Sequence, residues 1–257
     1  MSRLGKYLYC VIRCSEDLAF EDVAPMGSVK GPVHTVCCDG LAMVASDSPV
    51  KEYENTRVNM LAHEHVLEKV MREYSTLPVR FGTVADAGSP TEAIRSLLRR
   101  RSQEFGQLLT DMEGKVELGL KALWSDEELI FEEIVAQNES IRRLRNSIAG
   151  KPPQATHFDR VRLGEMVKQA LERKRVEEAA AILAPLRQLA HRTVENRVVL
   201  DRMVVNAAFL AEKRDEQEFD QAVNKLDERL GTRITFKYVG PVPPYNFVNI
   251  VVNWQEA

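Results

Sequence analysis

Cysteine is scarce in this 257-residue chain. All four, Cys10, Cys14, Cys37 and Cys38, fall within the first forty residues. None of the spacings is the CxxC knuckle that zinc commonly uses. In an extended strand Cys10 and Cys14 share a face. A neighbouring strand bearing Cys37 or Cys38 could bring another thiol alongside, so a thiolate metal site is one reading and buried, reduced cysteine the expected one. Long apolar runs are absent too. No uninterrupted run approaches the roughly 18–20 residues that span a bilayer, and the one following the N-terminus is cut by Arg13, short of a signal-peptide core. A cytoplasmic location is therefore expected, where disulfides are rare. A basic excess is lacking: the net charge is −3 and the pI about 6.0, which argues against a dedicated nucleic-acid binder. The chain has no P-loop, no GxGxxG and no GxSxG elbow. His34, His157 and His191 form no spaced cluster.

What is present is an ordinary globular composition. Hydrophobic residues make up 44% of the chain, enough for one large core or two domains of about 100–150 residues each. Tyr7 to Arg13 has strand character, and residues 14–32, with Pro25, Gly27, Gly31 and Pro32, read as loop. "VHTVCCDGLAMVAS" sets Asp39-Gly40 between two apolar runs, a hairpin with a type I′ turn. Residues 57–74 have helical periodicity, and "LPVRFGTV" (77–84) has strand alternation. "SPTE" predicts a capping box from Ser89 to Glu92 with Pro90 at the first helical position. The stripe that follows is Ile94, Leu97, Leu98, Phe105 and Leu108.

Further on, "KVELGLKALW" alternates Val116, Leu118 and Leu120 against Glu117, Gly119 and Lys121. "SDEE" predicts a second box, Ser125 to Glu128, opening a helix with the stripe Ile130, Ile134, Ile141, Leu144, Ile148. "GKPPQ" is a break, and a long helix follows from about 157 to 193 that Pro185 should kink or split. "VVNAAFLAE" is a strand, Phe219, Val223, Leu226 and Leu230 are a helical stripe after "DEQE", and "RITFKYVG" is a strand with one wet face. Strand runs into acidic-capped helix twice, the order of an α+β protein with an antiparallel sheet and helices on one face. The expected domains are 1–109, a hairpin-rich α+β unit, and 110–257, a ferredoxin-like unit ending in a proline-rich tail.

The stretch "NMLAHEHVLEKVM" looks at first like a metal or acid/base site. On a helix, however, His63 and His65 stand about 200° apart and cannot chelate one ion. The HExxH pattern needs a histidine at position 67, where Leu67 stands. His63 falls in one stripe with Met60, Leu67, Val70 and Tyr74, so a core histidine hydrogen-bonded by a strand or loop is expected, with His65 in solvent. "VRFGTV" has only one of the stacking aromatics of an RNA-binding strand, and Arg99-Arg100-Arg101 is mainly a solvated face. In "GPVPPYNFV" (240–248), Pro241, Pro243 and Pro244 force extended backbone. It reads as a rigid strap anchored by Tyr245 and Phe247, or as a docking surface.

Taken in order, "YLYCVI", "HEHVLEKVM", "LPVRFGTV" and "GPVPPYNFV" resemble the gas vesicle protein F/L family over essentially the whole chain. The four cysteines and His65 are outside that pattern. The resemblance implies two α+β domains, the second a modified ferredoxin-like fold, and an accessory role in building gas vesicles. It implies association with the vesicle or with its main shell protein, gas vesicle protein A, and no enzymatic activity or cofactor. A small, apolar, self-assembling shell protein needs its surface shielded before assembly. A helper could offer an apolar groove or a sheet edge. The residues expected to meet a partner are Arg80, Phe81, Phe236, Tyr238, Pro241, Pro244, Tyr245 and Phe247. The alternative is a metal- or small-molecule-dependent enzyme on a ferredoxin-like scaffold using His63 and Glu64.

Overall fold

The computed structural model describes residues 4–27, 31–86 and 88–252. The chain forms two compact units. The first comprises Met1–Glu117, Glu212–Arg214 and Gly240–Ala257, and the second Leu118–Ala211 and Asp215–Val239. The division therefore falls at Glu117/Leu118 and not near residue 109, and the proline-rich tail belongs with the first unit rather than the second.

The first unit holds β1 (Leu4–Arg13), β2 (Ala19–Phe20), β3 (Val33–Cys38), β4 (Leu41–Pro49), α1 (Arg57–Met71), β5 (Leu77–Pro78), β6 (Val84–Ala85), α2 (Pro90–Arg100) and α3 (Ser102–Met112). Its sheet has the order β2-β3-β4-β1-β5, with β6 also on β1, and its ladders are antiparallel. The expected hairpin closes with Asp39 and Gly40 at φ of 52° and 83°, the pair of positive values a type I′ turn needs. A bulge between Leu8 and Cys10 shifts the β1 register. One extra residue reverses side-chain parity, and the neighbours Tyr9 and Cys10 both enter the cluster packed under α1. β1 is buried on both faces, with α1 on one side and α2 and α3 against the other.

Three local expectations change here. "LPVRFGTV" is two short strands around a turn, because Gly82 takes φ 79° and Thr83 N donates back to Arg80 O at 3.3 Å. Ser89 and Pro90 take the expected cap positions, yet Ser89 makes no side-chain cap bond, and Glu92 pairs with Arg95 at 2.6 Å instead. The helix that follows is interrupted at Arg101, whose guanidinium bonds Glu104 and lies over the Phe105 ring. The interruption rotates the stripe, so Leu109 and Met112 are buried where Leu108 is only half-buried.

The second unit holds α4 (Glu127–Gln137), α5 (Glu139–Ile148), α6 (His157–Arg187), β8 (Arg192–Glu195), α7 (Glu216–Leu230) and most of β7 (Lys115–Trp124), β9 (Met203–Glu212) and β10 (Ile234–Val242). The sheet order is β10-β7-β9-β8. Trp124 N bonds Arg202 O, just before β9, and Ser125 N bonds Arg233 O, just before β10. The end of β7 thus meets the starts of both neighbours, so it runs antiparallel to each. β8 and β9 are antiparallel as well. Numbered within the unit this is order 4-1-3-2, the split βαβ arrangement of a ferredoxin-like fold, with α4, α5 and α6 where one crossover helix would suffice.

The cap of α4 is Asp126, not Ser125: its Oδ1 accepts from Glu128 N and Leu129 N. The expected single stripe is broken at Asn138, whose backbone N–H donates to Ile134 O at 3.0 Å and whose side-chain amide donates to the same carbonyl at 2.7 Å. Pro185 does not split α6, because it falls in the last turn, where few bonds remain to lose. An ion-pair network ties the helices to the sheet. Glu133 accepts from Lys174 at 2.8 Å and from both sides of the Arg233 fork at 3.0 and 2.7 Å. Glu178 accepts from Arg233 at 2.9 Å and from the Trp124 indole at 2.7 Å. Among the described residues no helix is long and apolar enough to cross a membrane.

Candidate functional site: a pocket beside the first helix

The sequence places His63 on the inner face of α1, and there it is 1% exposed. Tyr7 holds its ring. The Gly82 N–H donates to the Tyr7 phenol oxygen at 3.0 Å, and that hydroxyl lies 3.1 Å from His63 Nδ1. Burial raises the Tyr7 pKa, so the phenol keeps its proton. Burial also pushes His63 down to about 4, leaving the imidazole neutral near pH 7. A phenol that donates to Nδ1 leaves the ring hydrogen on Nε2. Tyr9 stacks on the ring at 5.6 Å, and Phe81 meets it edge-on at 5.6 Å.

The tail forms the adjoining wall. Its turn is closed by Tyr245 N to Pro243 O and by Phe247 N and Val248 N to Pro244 O. Glu117 holds it. Both carboxylate oxygens accept from Asn246, the backbone N–H at 2.8 Å and the side-chain amide at 2.5 Å. Strand alternation places Glu117 away from the apolar side of its strand, yet it is 3% exposed. A buried carboxylate is costly unless hydrogen-bonded, and these two bonds offset that cost. Burial still raises its pKa. Beyond the turn, Val248 and Ile250 are buried, Ile250 bridges Val79 in parallel, and Arg101 donates to Val251 O at 3.0 Å. The strap reading thus describes the tail, with its anchors at Asn246, Val248 and Ile250. Tyr245 is 37% exposed and Phe247 half-buried.

Between α1, the turn after β5 and the strap lies a pocket of about 570 Å³, lined by Met60, His63, Glu64, Phe81, Tyr245 and Val251 among others. Met60 was expected in the core stripe with His63, but it is 40% exposed and stands on the pocket wall. Val66 takes its place inside. The Tyr245 hydroxyl donates to Glu64 Oε2 at 3.3 Å, and burial raises the Glu64 pKa. His63 and Glu64, weighed as an acid/base pair, thus have separate partners. Among the described residues no three His, Cys, Asp or Glu side chains converge as a metal site.

The residues expected to meet a partner divide. Arg80, Phe81 and Tyr245 line this pocket. Pro244 is buried, and the exposed Pro241 follows a cis peptide. In the second unit Tyr238 stacks on Phe219 at 6.0 Å and donates to Asp220 at 2.7 Å, while Phe236 is half-buried. Their strand β10 is at a sheet edge. Met60 on the pocket wall, and the Glu117–Asn246 pair that holds the strap, are not singled out by the sequence patterns. The one available signal was a glutamate in an otherwise clean apolar strand.

The family model described as gas vesicle synthesis protein GvpL/GvpF matches residues 5–249. Gas vesicle protein F of a Streptomyces species is 28% identical over 247 residues, 95% of this chain and all of that one. Gas vesicle protein F of Microcystis aeruginosa is 26% identical, covering 96% and 99%. Gas vesicle protein L2 of Halobacterium salinarum is 24% identical, covering 95% and 91%. The crystal structure of GvpF from Anabaena sp. PCC7120 superposes with a TM-score of 0.81 at 24% identity, covering 98% and 100%. That of GvpF from Microcystis aeruginosa gives 0.77 at 25%, covering 95% and 98%.

Proposed function

The chain belongs to the gas vesicle synthesis protein GvpL/GvpF family, and from that premise we propose that it is a non-enzymatic assembly factor binding the vesicle's apolar shell protein, gas vesicle protein A, before that protein joins the wall. The observation that carries this reading is the pocket beside α1, with Met60, Phe81 and Val251 on its walls. A preformed apolar concavity with a few polar groups is the usual form of a recognition site. Covering part of an aggregation-prone chain there slows its association with other copies. The edge strand β10 supplies a second kind of contact, main-chain pairing with an extended segment. Its role fits the exposure of Val239 at 58%.

The test is co-purification of the shell protein with this chain from cells making both, together with vesicle counts after deletion of its gene. Retention of the shell protein and a loss of vesicles are expected. Normal vesicles in a deletion strain with no paralogue would contradict the proposal.

A further inference from the structure

The small net charge conceals an uneven distribution in the second unit. Residues 126–137, α4 with its cap, carry five acidic side chains and no basic one, whereas residues 140–168 carry seven basic and two acidic. Two of the nine phenylalanines are exposed, one on each segment: Phe131 on α4 at 42% and Phe158 at the start of α6 at 86%. Helical spacing puts Glu128, Phe131, Glu132 and Val135 on one stripe of α4, turned away from the buried Ile130 and Ile134. On α6 the same spacing groups Phe158, Val161 and Arg162, all exposed.

A groove of about 460 Å³ runs between α5 and α6, lined by Arg143, Leu144, Arg162 and Met166 among others. Leu144 and Met166 are half-buried there, and both arginines are exposed. Among the described residues Arg162 has no ion pair, and Arg143 pairs with the exposed Glu139 one turn before it, a contact of little net worth. An apolar groove edged by cations fits an acidic helix that presents an aromatic ring, which is the pattern of α4. Within one chain α4 packs beside α5 and α6, yet Phe131 stays exposed, so the chain does not fill its own groove.

We infer that the second unit pairs with a second copy of itself about a two-fold axis, Phe131 of each chain entering the α5–α6 groove of the other with Glu128 and Glu132 against Arg143 and Arg162. A two-fold interface is one patch meeting itself. A patch with an acidic part and a basic part is complementary to its own copy, and each pairing is then made twice. Phe158 and Val161, one turn before Arg162 on α6, leave water in the same step. The surface uses none of the residues that line the pocket beside α1.

Sedimentation velocity of the full chain tests this. The mass should rise with concentration from 29.1 kDa toward twice that value and stop there. The dissociation constant should lie in the micromolar range and weaken about tenfold between 0.1 and 0.5 M salt, because exposed charge pairs are screened. Glu132→Arg alone and Arg162→Glu alone should each weaken the dimer about tenfold or more by setting like charges together. Mixing the two variants should restore it, since both pairings in the mixed dimer are again of opposite sign. A wild-type chain that stays monomeric to about 200 μM, or grows past the dimer, overturns the inference. So does a mixture of the folded variants that remains monomeric. Should a variant not fold, the wild-type concentration and salt series decides alone. A monomeric chain that retains the shell protein, and loses it on Arg162→Glu, would give the groove to that partner and equally overturn self-pairing.

Discussion

Asn246 is gripped by both oxygens of Glu117, its backbone N–H at 2.8 Å and its side-chain amide at 2.5 Å. The pair joins the first residues of β7 to a tail more than a hundred positions later, and so sets the strap that walls the pocket.

Glu117→Ala leaves two donors of Asn246 without that acceptor. It should destabilise the first unit by about 1–3 kcal/mol. A lower urea midpoint with an unchanged m value is the expected readout. Hydrogen exchange at the Asn246 amide should accelerate in the same variant. An exchange rate equal to wild type would mean that the carboxylate does not hold the tail.

His63 predicts a pH dependence. Its folded pKa, about 4, lies below the ordinary 6.5, so the unfolded chain binds more protons in that interval. The stability this contributes is fully present above pH 6.5 and is lost as pH falls toward 4, by up to about 1.4 kcal/mol per pH unit. Chemical denaturation at several pH values should show this slope, and His63→Phe should flatten it. A wild-type profile without the slope between pH 6.5 and 4 would contradict a buried neutral imidazole.

Glu133 predicts a second acid-sensitive step, in the other unit. Hydrogen bonds from Arg233 and Lys174 hold its carboxyl down to about 2. A depressed carboxyl contributes stability that is present above its unfolded pKa and lost as pH falls from about 4.5 toward 2. The group is partly exposed, so the effect should shrink in high salt. Glu133→Gln should reduce the loss of α4 and α6 protection on acidification, measured by hydrogen exchange. Equal acid sensitivity in the variant would remove this pair from the account.

The thiols predict a reactivity order. Cys14 and Cys37 are half-buried, whereas Cys10 and Cys38 are buried, all four free. Burial raises the Cys10 thiol pKa well above its ordinary value, and the thiolate is the reactive form. Titration with an aromatic disulfide should modify two thiols in the native protein and four after unfolding. Mapping the modified peptides should find Cys14 and Cys37 first.

Much of this fold was legible because it is written in short-range patterns. Asp39-Gly40 gave the hairpin, and the alternation in "KVELGLKALW" gave β7. The doubled strand-to-helix order gave the ferredoxin-like sheet, and helix geometry separated His63 from His65. What the sequence hid depends on residues far apart. Whether Met60 belongs to the core or to a pocket wall depends on where the strap runs. Glu117 looked solvent-facing because its partner is Asn246, and no periodicity links the two. Helix interruptions at Arg101 and Asn138 were missed because neither glycine nor proline marks them.

The central claim is that the pocket beside α1 meets the shell protein, and the most direct test is photo-crosslinking. A benzophenone side chain at position 60, in cells making both proteins, should give an adduct with the shell protein, whereas the same group at the exposed Val199 should not. Adducts of equal yield from both positions, or none from position 60 while co-purification persists, would place the contact elsewhere.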